Sequence, residues 1–347
     1  SGEGKVMGLA PYGQPTYYDF FKKLVTLHPD GSYSLNLDFF DFHLGLPWIN
    51  KKITDALGPA RVPESPMEKK YEDIAASLQK ITEDVGLHLA RHLAEKTKLE
   101  NACFGGGVCL NAVMNGKILY ERLFKEYFFQ PMANDAGCSL GAASYIYHCI
   151  LGKPRCFQMD HVFWGTDYTD AEIEAELKAW SDLRYERAQD PAKAAAELLS
   201  REKIIGWFQG RMEVGPRALG SRSILADPRK EEMKNILNAR VKHREGFRPF
   251  APSILAEKCG EYFDCDYPSP YMILVYNVRK EKFSLLPATI HVDGTGRVQT
   301  VEEKVAPLYY RLIKHFESLT GVPVMLNTSF NIRGEPIVNT PREAVVC

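Results

Sequence analysis

Between Pro66 and about Lys98 the apolar residues Ile74, Leu78, Ile81, Val85, Leu89 and Leu93 recur at helical spacing, which predicts one long amphipathic helix with these side chains on its inner face. Lys98-Leu-Glu-Asn-Ala-Cys-Phe104 then reads as a turn into a buried strand that runs straight into Gly105-Gly-Gly107. After the glycines the pattern predicts a helix from Asn111 to Leu119 and a strand from Glu126 to Pro131. A small-residue helix from Ser139 to Ile150, packed closely on its neighbours, comes next. Strand, glycine turn and helix therefore occur twice, and this alternation predicts an α/β layer with ligand-facing loops at strand ends. Residues 1 to about 65 read differently: clustered aromatics, Pro and Gly predict short strands and packed loops.

The second half opens after Gly152-Lys-Pro-Arg155, a linker-like word. Helices are expected near 170–180 and 191–202, on either side of an apolar strand at Ile204-Ile-Gly-Trp-Phe and a turn carrying Gly210, Gly215, Pro216 and Gly220. A helix near 230–240 follows, with strands around 249–256 and 271–278 and a turn at Asp293-Gly-Thr-Gly296. A helix over about 303–319, a buried strand at Pro323-Val-Met-Leu326 and a helix start at Thr340-Pro-Arg-Glu close the chain. The expected division is residues 1–155 and 156–347.

Composition keeps this picture within ordinary bounds: 347 residues, 45% hydrophobic and 25% charged, suit two globular domains. No run of about 18 apolar residues marks a membrane span, and no charged start with an apolar stretch marks a secretory signal, so a cytoplasmic location is expected. The eight cysteines show no CxxC spacing and read as reduced structural thiols. The chain has no initiator Met and stops at Cys347 just after a helix start, from which a piece of a longer protein is expected.

Charge changes the picture more. The whole chain has a net charge of −1, yet Arg201 to Arg248 holds twelve Lys or Arg against six acids. Arg217, Lys242, Arg248, Arg297, Asn327 and Ser329 lie in glycine-, proline- or turn-rich words, not on the helix faces where charge runs are usually solvated. Guanidinium groups presented from tight turns suit anionic oxygens. Gly105, Gly106, Gly107 and Asn111 sit between strand and helix, where backbone N–H groups cradle phosphate or, alternatively, glycine permits close packing. Asp135, at another strand-to-helix junction, reads either as a helix cap or as a metal ligand. His88 and His92 are at metal-ligand spacing on the long helix but read as a packed or surface pair.

Three words carry a family resemblance in the second half: Gly206-Trp-Phe-Gln-Gly-Arg-Met-Glu-Val-Gly-Pro-Arg-Ala-Leu-Gly220, Arg244-Glu-Gly-Phe-Arg-Pro-Phe-Ala-Pro252 and Leu326-Asn-Thr-Ser-Phe-Asn331. With Glu3-Gly-Lys-Val-Met-Gly-Leu-Ala-Pro-Tyr-Gly13, Gly105-Gly-Gly-Val-Cys-Leu-Asn111 and Asn134-Asp-Ala-Gly-Cys-Ser-Leu-Gly-Ala-Ala143, the chain resembles the NodU/CmcH family of O-carbamoyltransferases along essentially its whole length. That resemblance implies the second lobe of an ASKHA/Kae1-like domain followed by a YrdC-like α/β domain. It further implies formation of carbamoyl-adenylate from carbamoyl phosphate and ATP with Mg²⁺, and transfer to a hydroxyl of a sugar, antibiotic or related metabolite. By their words, Lys242, Arg248 and Arg217 match the catalytic set, and Arg297, Asn327 and Ser329 the substrate-binding set. Asp135 matches the aspartate that holds a divalent iron-like metal, with histidine partners expected in a lobe before Gly4.

ATP plus carbamoyl phosphate brings about six negative charges, and each charge-assisted hydrogen bond contributes about 1.5–3 kcal/mol, so several cations are needed to hold both. Two other functions remain open at this point: a tRNA threonylcarbamoyl-type modification enzyme, which shares both folds, and a non-catalytic nucleotide-binding module. The near-neutral charge and lack of a long basic stripe weigh against nucleic acid.

Overall fold

The computed structural model describes residues 2–45, 48–63 and 65–347, and divides the chain into two compact units. The first comprises Ser1–Phe104 and Val113–Phe128, the second Gly105–Ala112 and Phe129–Cys347. The boundary expected near residue 155 falls within the second unit. Among the described residues no helix is long and apolar enough to cross a membrane.

In the first unit α1 (Glu3–Leu9), α2 (Tyr18–Phe21), the hairpin β1 (Val25–Leu27) with β2 (Tyr33–Leu35), and α3 (Lys51–Leu57) are all short, as the aromatic and Pro-rich sequence predicts. They gather around α4 (Lys69–Thr97), where Phe21, Leu24, Ile53 and Ile81 form a core. The helix runs where its periodicity predicts, and Ile74 and Ile81 of the predicted stripe join the core, but the rest of the buried face differs. Ala75, Ser77, Gln79, Ile81, Glu83 and Ala90 are buried, while Leu78, Leu89 and Leu93 are exposed. The reason is polar: Gln79 Nε2 donates to Glu83 Oε1 at 2.9 Å, and Glu83 pairs with Lys117, so this side of the helix satisfies its polar groups internally.

Next come β3 (Asn101–Phe104), α5 (Ala112–Tyr120) and β4 (Glu126–Phe129), with β3 and β4 paired. The strand before the glycines is only half buried: Ala102 faces in, whereas Asn101 and Cys103 face out. In the second unit, α6 (Cys138–Tyr145) and the π-helical turn Ile146–Ile150 form the expected small-residue helix, yet none of their residues is buried and Tyr145, Ile146 and Ile150 are exposed. Close packing predicted from the small side chains is therefore corrected, since no described element covers this helix.

The second unit continues through α7 (Asp170–Lys178), α8 (Pro191–Ser200), β5 (Ile205–Phe208), β6 (Arg222–Ala226) and α9 (Glu231–Ile236). β7 (Ala251–Leu255), α10 (Cys259–Tyr262), β8 (Leu274–Asn277), β9 (Thr295–Val301), α11 (Pro307–Thr320), β10 (Val324–Ser329) and α12 (Pro341–Val346) complete it. The start signal at Thr340 acts as predicted, closing a capping box with Glu343 on α12, and Asp190 caps α8 with Pro191 behind it.

Six strands form a sheet in the order β5-β6-β10-β7-β9-β8, antiparallel except for the parallel β7–β9 pair. Every residue of β6 and β7 is buried, so both faces of the sheet centre are covered. Ile224, Ala226 and Leu326 pack with Met233 and Leu237 from the α9 region, while α8 and α11 pack against each other and α11 also meets β7 and β10. The fold is α/β. Two of its strands, β6 and β9, are not expected from the sequence, because Arg222, Ser223, Gln299 and Thr300 are polar residues buried inside strands.

Candidate functional site

Register brings the scattered words of the second half together. Asn327 of β10 pairs with Ala251 at the start of β7, Ser329 pairs with Ser223 at the start of β6, and Ser253 pairs with Gln299 of β9. Arg297, two residues before Gln299, is thereby level with Ala251. The starts of β6, β7 and β9 and the end of β10 consequently meet at one end of the sheet. The loop from β5 to β6 brings Arg217 there, and the segment between α9 and β7 brings Lys242, Arg244 and Arg248.

Arg297, Asn327 and Ser329 sit on strands, not in the turns where their words suggested them. A strand end is a firmer mount than a loop, because ladder bonds on both sides fix the backbone.

The charges of this cluster are mostly positive, with Glu245 acting the other way on Arg244 and Arg248. Burial lowers the pKa of Arg217 to about 10, with Arg248 adding to the effect. Arg244 is brought to about 10 by burial and by Arg248. Arg297 is held well below the ordinary arginine value by burial, then by Arg217, Arg244 and Arg248. Lys242 falls to about 7, first through burial, then through Arg244 and Arg248. These cations press on one another, and the hydrogen-bond partners of Arg217, Lys242 and Arg244 are neutral. Arg217 Nη2 reaches Leu110 O at 3.5 Å, and Arg244 donates to Asn238 Oδ1 at 2.7 Å while stacking 4.6 Å over Phe250. The Nε atoms of Arg217 and Arg297 are buried with no hydrogen-bond partner among the described residues. A carboxylate, Glu245, stands 3.9 Å from Arg248, at the edge of ion-pair distance.

Lys242 is fixed by oxygens. Its Nζ donates to Ser329 O, to Asn331 O at 2.9 Å and to Asn331 Oδ1 at 2.7 Å, with Ser329 Oγ at 3.3 Å. Ser329 Oγ donates in turn to Asn331 Oδ1 at 2.7 Å. Asn327 is placed otherwise: it is 1% exposed, and its Nδ2 is spent on Ala218 O, Ser253 Oγ and Gln299 Oε1 at 3.0–3.1 Å. It faces the interior of the sheet.

The glycine word lies in the same compact unit. Gly105, Gly106 and Gly107 are exposed, and a Cβ at either of the first two would meet nothing within 4 Å, so close packing does not account for the triplet. Gly106 has φ +95°, which glycine alone adopts readily. Asn111 ends the short turn that follows, donating its N–H to Val108 O at 2.9 Å, directly before α5.

Asp135 is exposed at the start of a single 3₁₀ turn. No group of three or more His, Cys, Asp or Glu side chains among the described residues is arranged to hold a metal ion. The residues present do not by themselves fit a metal centre at Asp135. His88 and His92 lie in the first unit on an open pocket with Tyr18, Asp84, Arg91 and Glu95; His88 Nε2 is 3.3 Å from Ser32 O and the His92 ring lies against Gly31.

Sequence reasoning passed over Arg244 as a site residue, although it opens the word that also holds Arg248. It also passed over Glu213, whose signal is a lone acid in an arginine-rich turn.

A cluster of cations at one end of the sheet, with an open glycine turn in the same unit, is an arrangement whose chemistry suits anionic oxygens. Comparison with known proteins narrows this chemistry. Residues 1–144 match the family model described as carbamoyltransferase N-terminus, and residues 196–347 match that described as carbamoyltransferase C-terminus. The nodulation protein NolO of Bradyrhizobium diazoefficiens is 43% identical over 99% of this chain and 62% of its own length. An uncharacterized Synechocystis protein, sll1178, is 45% identical over 100% of the chain and 61% of its own length. The 3'-hydroxymethylcephem-O-carbamoyltransferase of Streptomyces clavuligerus is 33% identical over 80% of the chain and 51% of its own length. The chain belongs to the NodU/CmcH carbamoyltransferase family. It spans about three fifths of the length of the first two of these relatives.

Proposed function

We propose that the second unit activates a carbamoyl group with ATP and that the whole protein passes it to the hydroxyl of a small molecule. The observation that carries this reading is the group of half-buried Arg217, Arg244 and Arg297 around the buried Lys242, with no carboxylate bonded to any of the four among the described residues. Such an arrangement is costly until a polyanion enters, and it recovers that cost when one does.

The chemistry balances in two steps before transfer. Water cleaves carbamoyl phosphate to carbamate and phosphate. A carbamate oxygen then attacks the α-phosphorus of ATP, the bond to the β-phosphate oxygen breaks, and pyrophosphate leaves with its electron pair. Arg217, Arg248 and Arg297 would neutralise the phosphates and the leaving pyrophosphate, and Lys242, held by Ser329 and Asn331, would set one compact positive charge beside the transferring group. Arg244 would add to the field, its guanidinium plane fixed by Phe250. Asn327 would act from beneath, through the loop it holds. Mg²⁺ arriving with ATP would neutralise phosphate charge. In the last step an acceptor hydroxyl oxygen attacks the carbamoyl carbon, AMP leaves, and the hydroxyl proton passes to solvent.

The match to carbamoyltransferase models in both halves supports the transfer, and the cephem O-carbamoyltransferase among the relatives supports a hydroxyl acceptor. Eight free cysteines fit a reducing, cytoplasmic setting. Asp135 is proposed as one metal ligand only in company with donors from outside this chain, and no step above uses it.

The test is pyrophosphate release from ATP and Mg²⁺ with and without carbamoyl phosphate. Release is expected to require carbamoyl phosphate, with phosphate and pyrophosphate formed in equal amounts, and to fall about 10²–10³-fold in Lys242→Ala. Release independent of carbamoyl phosphate, or unchanged in that variant, would overturn the reading.

A further inference from the structure

The loop that carries Arg217 into the cation cluster is held by side chains to an unusual degree. The N–H groups of Leu219 and Ser221 each donate to Glu213 Oε1 at 2.7 Å, and that of Arg222 at 3.3 Å. The carbonyls are held from the opposite side. Ala218 O accepts from Asn327 Nδ2 at 3.1 Å, Leu219 O from Gln299 Nε2 at 2.8 Å, and Gly220 O from Trp207 Nε1 at 2.9 Å and Gln209 Nε2 at 2.8 Å.

Three backbone N–H groups converging on one oxygen form a nest of the kind that binds free anions. Here the anion is internal. Glu213 is 4% exposed, its backbone is bridged to Phe163, and its second oxygen, Oε2, is buried with no hydrogen-bond partner among the described residues. Burying a carboxylate with one oxygen unsatisfied is expensive, and packing alone would be served better by an apolar side chain. The charge bearing on Arg217 is that of Arg248, whereas the charge of Glu213 bears on Arg222. The action of Glu213 on Arg217 therefore runs through the backbone two residues along.

We propose that Glu213 is a positioning residue: its carboxylate fixes the Ala218–Arg222 backbone so that the Arg217 guanidinium stands ready for a phosphate or pyrophosphate group. The proposal rests on the reading of the cation cluster as an anion site.

The experiment is calorimetric titration of the full chain with inorganic pyrophosphate, for the wild type, Arg217→Ala, Glu213→Ala and the double variant. Arg217→Ala is expected to weaken binding about ten- to a hundredfold and Glu213→Ala about tenfold. The double variant is expected to match Arg217→Ala alone within about twofold, because Glu213 acts only through that guanidinium. Glu213→Gln, which keeps a carbonyl oxygen for the nest, is expected to restore binding to within about threefold of wild type. Where alanine at this buried position prevents folding, Glu213→Asp, which keeps the charge and loses reach, replaces it in the same comparison. A loss that is equal with and without Arg217 marks a structural role and overturns the proposal. So does wild-type binding in the Glu213 variants when Arg217→Ala is weak. If Arg217→Ala binds pyrophosphate as the wild type does, the reading of the cluster falls and the positioning role falls with it.

Discussion

The ion pairs of the first unit and the cation cluster of the second treat charge in opposite ways, although elsewhere in the second unit Arg229 is paired with the buried Asp227 at 2.6 Å. In the first, cations meet acids: Arg91 forks onto Glu121 at 2.7 and 2.9 Å, Lys117 pairs with Glu83, and Lys80 pairs with Asp84. Arg91 is raised and Glu121 lowered in pKa, each chiefly by its hydrogen bond to the other. In the second, Arg217, Lys242 and Arg297 are lowered by burial and by one another. Paired charge in the first unit serves the fold, since each partner satisfies the other in the absence of any ligand. Unpaired, desolvated charge in the second opposes folding, and a ligand of opposite sign is what balances it. The difference separates a structural region from a candidate site without reference to any relative.

The largest expected contrast lies in two glycines of the second unit. Gly220 has φ +106°, and a Cβ there would stand 2.3 Å from the buried Tyr309 ring. Gly220→Ala should cost about 2–6 kcal/mol, adding backbone strain to overpacking, and lower the melting temperature sharply. Gly106, at φ +95° with open space around it, should cost only about 1–3 kcal/mol as alanine, from backbone strain alone. Equal losses would show the glycine turn to be as tightly packed as the arginine loop.

A smaller effect concerns protons. Lys242 titrates at about 7 in the fold against an ordinary value of 10.5, so between those values the unfolded chain binds more protons and stability rises with pH. Below about pH 7 the charged lysine must be held in the fold, and its penalty is fully present. A bound polyanion favours the charged form, so pyrophosphate binding at pH 8 should take up more protons in the wild type than in Lys242→Met. Calorimetry in buffers of different ionisation enthalpy measures that difference, and its absence would mean that no anion reaches Lys242. The smallest effect is in the first unit. Arg91→Met removes a partly exposed ion pair and should change stability by less than about 1 kcal/mol by chemical denaturation, with pyrophosphate binding untouched.

Much of this site is legible in the sequence, for a particular reason. Arg217, Lys242, Arg248 and Arg297 lie in words too rich in glycine, proline and turns to be solvated helix faces, and such words meet where strands end. Asn327 shows the limit: an amide at a strand end reads the same whether it faces a ligand or the interior, and here it faces the interior. Glu213 is hidden because a single acid among arginines reads as a counter-charge, whereas in the fold its oxygen accepts backbone N–H groups. The stripe of α4 misled because helical spacing identifies a face without identifying which face is covered; Gln79 and Glu83 hold the inner side, and Leu89 and Leu93 look outward.

The most direct test of the central claim, that the buried cations of the second unit form a polyanion site, is the melting temperature of the wild type and of Arg297→Met across a pyrophosphate titration. Without ligand, Arg297→Met should melt higher, since it removes a desolvated charge that presses on Arg217, Arg244 and Arg248. With rising pyrophosphate the wild type should climb, by about 2.7 kcal/mol of stability at a hundred times its Kd, while the variant stays flat and the two curves cross. A variant that melts lower than the wild type without ligand and yet climbs with pyrophosphate to the same extent would contradict the account.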